Sequence, residues 1–171
     1  MIDHFRMFAN YNGWANGLVY TAAAGLTDGE FREAKGAFFG SLHATLNHIL
    51  CADRIWLKRF TGAGAAPGAL DTILFEDLAA LTAARKAEDA RIKAFIDGLT
   101  PERLSGSFTY TPITSPVETT QKLSPSLAHL FNHQTHHRGQ CHMTLTALGK
   151  PSLALDMVYF LRAAEGRGYA G

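Results

Sequence analysis

Cysteine is scarce in this chain: Cys51 and Cys141 are the only two, and they lie too far apart to form a CxxC pair. A reduced, cytoplasmic protein fits this usage, with a single disulfide the alternative. An excess of one charge is missing as well. Sixteen Lys and Arg against fifteen Asp and Glu leave a net charge of +1 with histidines neutral. Nucleic-acid binding normally shows a basic stripe, so that partner is not expected. No apolar run approaches the length of a membrane span, and the opening MIDHFRMFANYNG lacks the charged-then-apolar pattern of a signal peptide. A membrane partner is not expected either. There is no internal repeat, no glycine-rich phosphate loop and no alternation of strands with helices.

What remains is an ordinary globular composition, 47% hydrophobic and 18% charged, in 171 residues, enough for one domain over 1–171 with a real core. Helical periodicity dominates. Phe5, Phe8, Ala15, Leu18, Val19 and Ala22 predict a first helix from Asp3, its cap, to about Ala24, interrupted by Tyr11-Asn12-Gly13-Trp14-Ala15-Asn16. Asn12 and Asn16 either line a polar pocket or face solvent. Thr27-Asp28-Gly29-Glu30 reads as a capping box opening a short turn through Lys35. A second long helix is predicted from about Ser41 to Phe60, and residues 62–68 form a small-residue linker. A third runs from about Phe75 to Gly98, with the mixed-charge run Arg85 to Arg91 expected on its solvated face. The Ser-, Thr- and Pro-rich stretch from Ser105 to Leu123 is expected to be a loop, with a short strand at Phe108-Thr109-Tyr110. Asp156 should cap a short final helix, Met157 to Ala164, and Gly166 to Gly171 should fray. Four long amphipathic segments argue for an all-α helical bundle.

The fourth segment, Ser124 to Leu148, organises the rest. Ser124 is placed as an N-cap, Pro125 at the first helical position, and Gly149 as a left-handed terminator before Pro151. Between them Leu130, His133, His137, Cys141, Thr144 and Leu148 share one helical face, the face that points at a core. A buried imidazole without partners forfeits roughly 1–3 kcal/mol per unsatisfied group. Two histidines in leucine positions therefore suggest a metal ion. Divalent zinc or nickel accepts imidazole nitrogen readily, and i,i+4 spacing lets His133 and His137 share one ion. His48, bordering the core face of the second helix, is the best-placed third ligand, while His129 with His133 is an alternative pair. His136 should sit at the surface or rim. Gln134 follows His133, so the HExxH zincin motif with its glutamate base is absent, and the helix has no glutamate for a di-iron centre. Cys51 and Cys141 are placed near enough to be minor alternatives as ligands.

The run His133-Gln134-Thr135-His136-His137-Arg138-Gly139-Gln140 resembles the HxxxHRGQ signature of the DinB-like (DinB/YfiT) metalloenzymes. Asn47-His48-Ile49 with Asp53-Arg54-Ile55-Trp56 is similar to that family's second-helix segment. Tyr11-Asn12-x-Trp14-Ala15-Asn16 is similar to its first-helix opening. The resemblance extends from the first helix to the fourth, and the fourth-helix signature is its most specific part. It implies an up-down-down-up four-helix bundle, often a homodimer, in which His48, His133 and His137 bind a divalent ion. It also implies kinship with thiol-dependent transferases and isomerases that use low-molecular-weight thiols.

Two functions follow. In the first, a metal-dependent enzyme acts on a small molecule as an S-transferase, isomerase or hydrolase. Its ion is a Lewis acid, Asn12, Asn16 and the 105–123 loop shape the pocket, and Gln140 orients a ligand histidine. Arg138 either pairs with Asp53 across helices or binds an anionic substrate. In the second, the protein is a non-catalytic, stress-inducible metal-binding structure or interaction partner. Open coordination positions distinguish the first from the closed four-ligand site of the second.

Overall fold

A computed structural model describes residues 1–171 and opens with α1 (Ile2–Ala23). Asp3 lies inside its first turn rather than at the cap, which Met1 holds, and pairs instead with Arg6 at 2.8 Å. Thr27 and Glu30 form the reciprocal capping box and open α2 (Asp28–Arg32), a single turn that stops short of Lys35. Ser41 caps α3 (Leu42–Thr61) by accepting from the Ala44 amide, and Gly62 ends it at φ +73°, where glycine carries no side-chain strain. Asp77 caps α4 (Leu78–Asp97), later than the expected start at Phe75. The reason is tertiary. The Phe75 N–H donates to Asn47 Oδ1 at 2.9 Å, and its carbonyl accepts from Asn47 Nδ2 at 3.0 Å, so its backbone belongs to α3.

A short α5 (Pro101–Ser105) leads into β1 (Ser107–Tyr110), which pairs antiparallel with β2 (Thr119–Lys122), Phe108 opposite Gln121. The stretch expected as a loop with one strand is thus a hairpin. It runs directly into α6 (Leu123–Ala147). Lys122 takes the cap position, so Ser124 and Pro125 lie within the first turn, where the missing prolyl N–H still breaks no helical bond. Gly149 is left-handed at φ +74°, as its place after the helix predicts. After α7 (Met157–Arg162) the glycine-rich end does not fray. A 3₁₀ turn at Arg167–Tyr169 brings the Tyr169 hydroxyl to Asn10, whose Nδ2 donates to it at 2.8 Å. No helix is long and apolar enough to cross a membrane.

The four long helices pack so that α1 and α3 each lie against both α4 and α6. Their buried faces form two apolar clusters. One joins Phe5, Leu57, Phe60, Ile92, Ile96, Leu127 and Phe131; the other joins Val19, Leu42, Leu46, Leu50, Leu81, Cys141 and Leu145. Each such aliphatic or aromatic side chain contributes roughly 1.5–3 kcal/mol by leaving water. Between the clusters in sequence on every helix lies a buried polar position: Asn12 and Asn16, Asp53, Arg85 and Glu88, Gln134 and Arg138. Part of the mixed-charge run is therefore inside, not on a solvated face. Arg85 enters with its counter-charges, meeting Asp53 at 2.5 Å and Asp89 at 2.9 Å, which offsets a desolvation that neither sign would survive alone.

Candidate metal centre

The packing of α3 on α6 brings His48, His133 and His137 together. His48 Nε2 lies 3.2 Å from His133 Nε2 and 3.2 Å from His137 Nε2, and all three ligand atoms fall within 4.8 Å of one another. His133 and His137 present their rings to one side because four residues make just over one helical turn. His48 comes from the buried face of α3, between Thr45 and Cys51.

The tautomers of two rings follow from their outer partners. His48 Nδ1 stands 2.7 Å from the Leu70 carbonyl, which can only accept, so Nδ1 carries the proton and Nε2 a lone pair. His137 Nδ1 likewise donates to Gln140 Oε1 at 2.9 Å, which leaves its Nε2 a lone pair. Two lone pairs therefore face each other across 3.2 Å. Protonating a ring would relieve them, but burial, the largest cause in each case, pushes all three histidines below their ordinary pKa, His133 to about 3. A cation accepted by these nitrogens removes the conflict. With metal–nitrogen distances of about 2.0–2.1 Å, neighbouring ligand atoms on one ion stand roughly 3.0–3.4 Å apart; the two separations from His48 fall in that range, and the whole set lies within 4.8 Å. The three histidines could hold a metal ion.

The support around these rings was only partly visible in the sequence. Gln140 was legible from its spacing. The 62–77 segment was not: a small-residue linker by composition, it supplies the Leu70 carbonyl to His48 and the Ala69 carbonyl to the Cys51 thiol at 3.1 Å. Asn47 fastens that segment, since its Oδ1 accepts from the amides of Leu74 and Phe75 and its Nδ2 donates to the Phe75 carbonyl. An amide beside a histidine was the available signal. Phe39, from the turn before α3, stacks on His48 with ring centroids 3.8 Å apart.

The other candidates lie apart from this trio. His129 is exposed and packs its ring 5.8 Å from that of His133; His136 is exposed, at the rim. Both cysteines are free and buried, and burial pushes their thiols up, to about 11 for Cys51 and about 12 for Cys141. Asn12 and Asn16 are buried and do not face solvent. Their side-chain carbonyls accept from Arg138 Nη1, and their amides donate to Asp89 at 3.3 and 3.0 Å. Arg138 makes no hydrogen bond to Asp53: Gln134 stands between them, accepting from Arg138 at 3.2 Å and donating to Asp53. Complete burial pushes the Asp53 carboxyl up, to about 7, against the opposing pull of Arg85.

No curated protein matches the chain. A family model does, over residues 1–168, and with it the histidine-bearing α6 and the asparagine-bearing α1 fall within one described family. The chain belongs to the DinB family.

Proposed function

We propose that this member of the DinB family is a divalent-metal-dependent enzyme, in which His48, His133 and His137 hold zinc or nickel beside a small-molecule substrate. The observation that carries the reading is the pair of opposed Nε2 lone pairs on His48 and His137, fixed by the Leu70 carbonyl and Gln140. Three neutral nitrogens leave the ion's double charge uncompensated and leave coordination positions free, the pattern of catalytic rather than structural sites. When bound, the ion would supply Lewis acidity, lowering the pKa of a water or a low-molecular-weight thiol so that a nucleophile exists near neutral pH.

The protein's own residues do the rest. Leu70 and Gln140 hold two rings in their ligand tautomers, and Phe39 covers the His48 face against solvent. His129, exposed along one edge but packed on Trp56 and His133, carries no hydrogen bond to another residue and is held below its ordinary pKa by that partial desolvation and by Arg59, so it is a neutral base one ring away from His133. Substrate contact at Asn12, Asn16 and Arg138 would require breaking bonds that these side chains already make with one another. The His129 side is therefore the proposed entrance. The reading takes the four long helices as an up-down-down-up bundle, which the passage of α1 and α6 from the Phe5 cluster to the Val19 cluster, and of α3 and α4 the other way, supports. A homodimer in solution is part of it.

The test is to purify the chain without chelator and measure metal per chain, then assay water and cellular thiols as nucleophiles. About one divalent ion per chain with an exchangeable coordination position is expected. Protein that takes up no stoichiometric ion even when supplied with zinc or nickel sinks the reading. Four protein ligands with no exchangeable position would point to the non-catalytic role.

A further inference from the structure

A cleft of about 470 Å³ opens beside the histidine cluster, lined by Trp56, Tyr110, Gln121, Lys122, Ser126 and His129 among others. It lies one ring from the metal ligands, because Trp56 packs on His129 with centroids 5.0 Å apart and His129 packs on His133. Its walls come from α3, the β-hairpin and the first turns of α6, and none of the lining residues is acidic. Arg59 lies over both wall rings, 4.6 Å from the Trp56 centroid and 4.3 Å from the Tyr110 centroid. Its guanidinium is half-buried and makes no hydrogen bond or ion pair with any other residue. Several other arginines are committed: Arg32 to Asp28 and Glu76, Arg85 to Asp53 and Asp89, Arg91 to Glu88. A guanidinium held over aromatic faces by its charge, with no N–H spent on another residue, keeps its donors free for a carboxylate.

We propose that this cleft binds a small organic anion with a planar apolar body. Arg59 and Lys122 take its carboxylate, and Trp56 takes its ring or unsaturated chain beside His129. As a substrate site it rests on the metal-dependent reading above; as a binding site it does not. The neutral lining amide and hydroxyl of Gln121 and Ser126 supply polar contacts without repelling an anion.

Benzoate, with benzyl alcohol as the uncharged control, is titrated into the full chain carrying Trp14→Phe, so that Trp56 is the single indole reporting by fluorescence. Metal-loaded and chelator-stripped samples are run in parallel at one ionic strength, and their metal content is measured. Saturable quenching by benzoate is expected in both samples, and none by benzyl alcohol over the same range. Arg59→Ala should weaken benzoate about tenfold or more, the loss of a charge-assisted pair. Lys122→Ala, on an exposed side chain that makes only a long 3.4 Å hydrogen bond to the Ser105 carbonyl, should weaken it roughly twofold to fivefold. Equal binding of the alcohol, indifference to both substitutions, or disappearance of benzoate binding on metal removal would each overturn the proposal. Anion binding in protein that takes up no metal under any condition would sink the enzymatic reading and leave this one standing.

Discussion

In the polar layer that crosses all four long helices, donors meet acceptors; at the histidine cluster, whose two α6 members directly precede Gln134 and Arg138, acceptors meet acceptors. Arg85 and Arg138 balance Asp53 and Asp89 in charge, and Asn12, Asn16 and Gln134 connect them through their amides. A few atoms of that layer, such as Asp53 Oδ1 and Arg85 Nε, stay unpartnered, but Arg85 meets Asp53 and Asp89, and Glu88 meets Arg91. Around His48 and His137 the outer nitrogens are satisfied and the inner ones oppose each other. Both groups put polar side chains where leucine would pack. The first meets its charges largely within the chain and ties the four helices to one another. The second leaves lone pairs opposed where a metal ion could sit, and that difference separates a structural polar core from a candidate site.

The comparison can be broken most sharply at its second member. His137→Ala should abolish stoichiometric metal binding while the helical circular dichroism persists; full metal content in the folded variant would end the assignment. Arg85→Met attacks the first member. It leaves Asp53 buried without its counter-charge, so urea unfolding should show a loss of about 3–5 kcal/mol with metal content per folded chain unchanged. A loss under about 1 kcal/mol would mean that the layer is better hydrated than its burial indicates.

Gln140→Ala tests the link that fixes the His137 tautomer. Metal affinity, measured by competition with a chromophoric chelator, should fall about 10- to 100-fold, and a change within twofold would remove Gln140 from the site. The smallest effect is in pH. Burial, with His137 and His48 adding, lowers His133 from 6.5 to about 3. The unfolded chain therefore takes up a proton below about pH 6.5 that the folded, metal-free chain refuses. Stability is thus full above that pH and falls as pH drops through the window, by up to about 1.4 kcal/mol per pH unit. Asp53, raised from 3.8 to about 7, works in the opposite sense, stabilising the fold as pH falls. It is common to wild type and His133→Asn, so the difference between their chelator-treated urea midpoints isolates the imidazole. Parallel curves from pH 6.5 to 4.5 would show that His133 is not buried as a neutral ring.

Much of this was legible in the sequence. The capping box at Thr27, the glycine terminator at Gly149 and the three–four spacing along α6 are local chemistry, and the structure follows them. Errors came where distant backbone intervened. Phe75 could not join α4 because Asn47 holds its amide and carbonyl, and Ser124 lost the cap because β2 runs straight into the helix. The hairpin was half-visible, since Phe108-Thr109-Tyr110 looks like a strand but Thr119-Thr120-Gln121-Lys122 carries too little apolar pattern to reveal its partner. Arg85 and Glu88 lie on the inward stripe with Leu81, Ile92 and Ile96, yet charge in a mixed run reads as surface unless its counter-charge on another helix is known.

What the sequence determined alone was periodic and near-range: which segments are helices, which face of α6 looks inward, and that two imidazoles share that face. Tertiary structure decided what lay across helix boundaries. It chose His48 as the partner, made the Leu70 carbonyl the group that sets its tautomer, and turned a charged run into a buried ion pair. The physical reason is range. Helical spacing and capping act over a few residues, whereas the pairing of a lone pair, a proton or a charge is settled by whichever atom arrives from elsewhere in the chain.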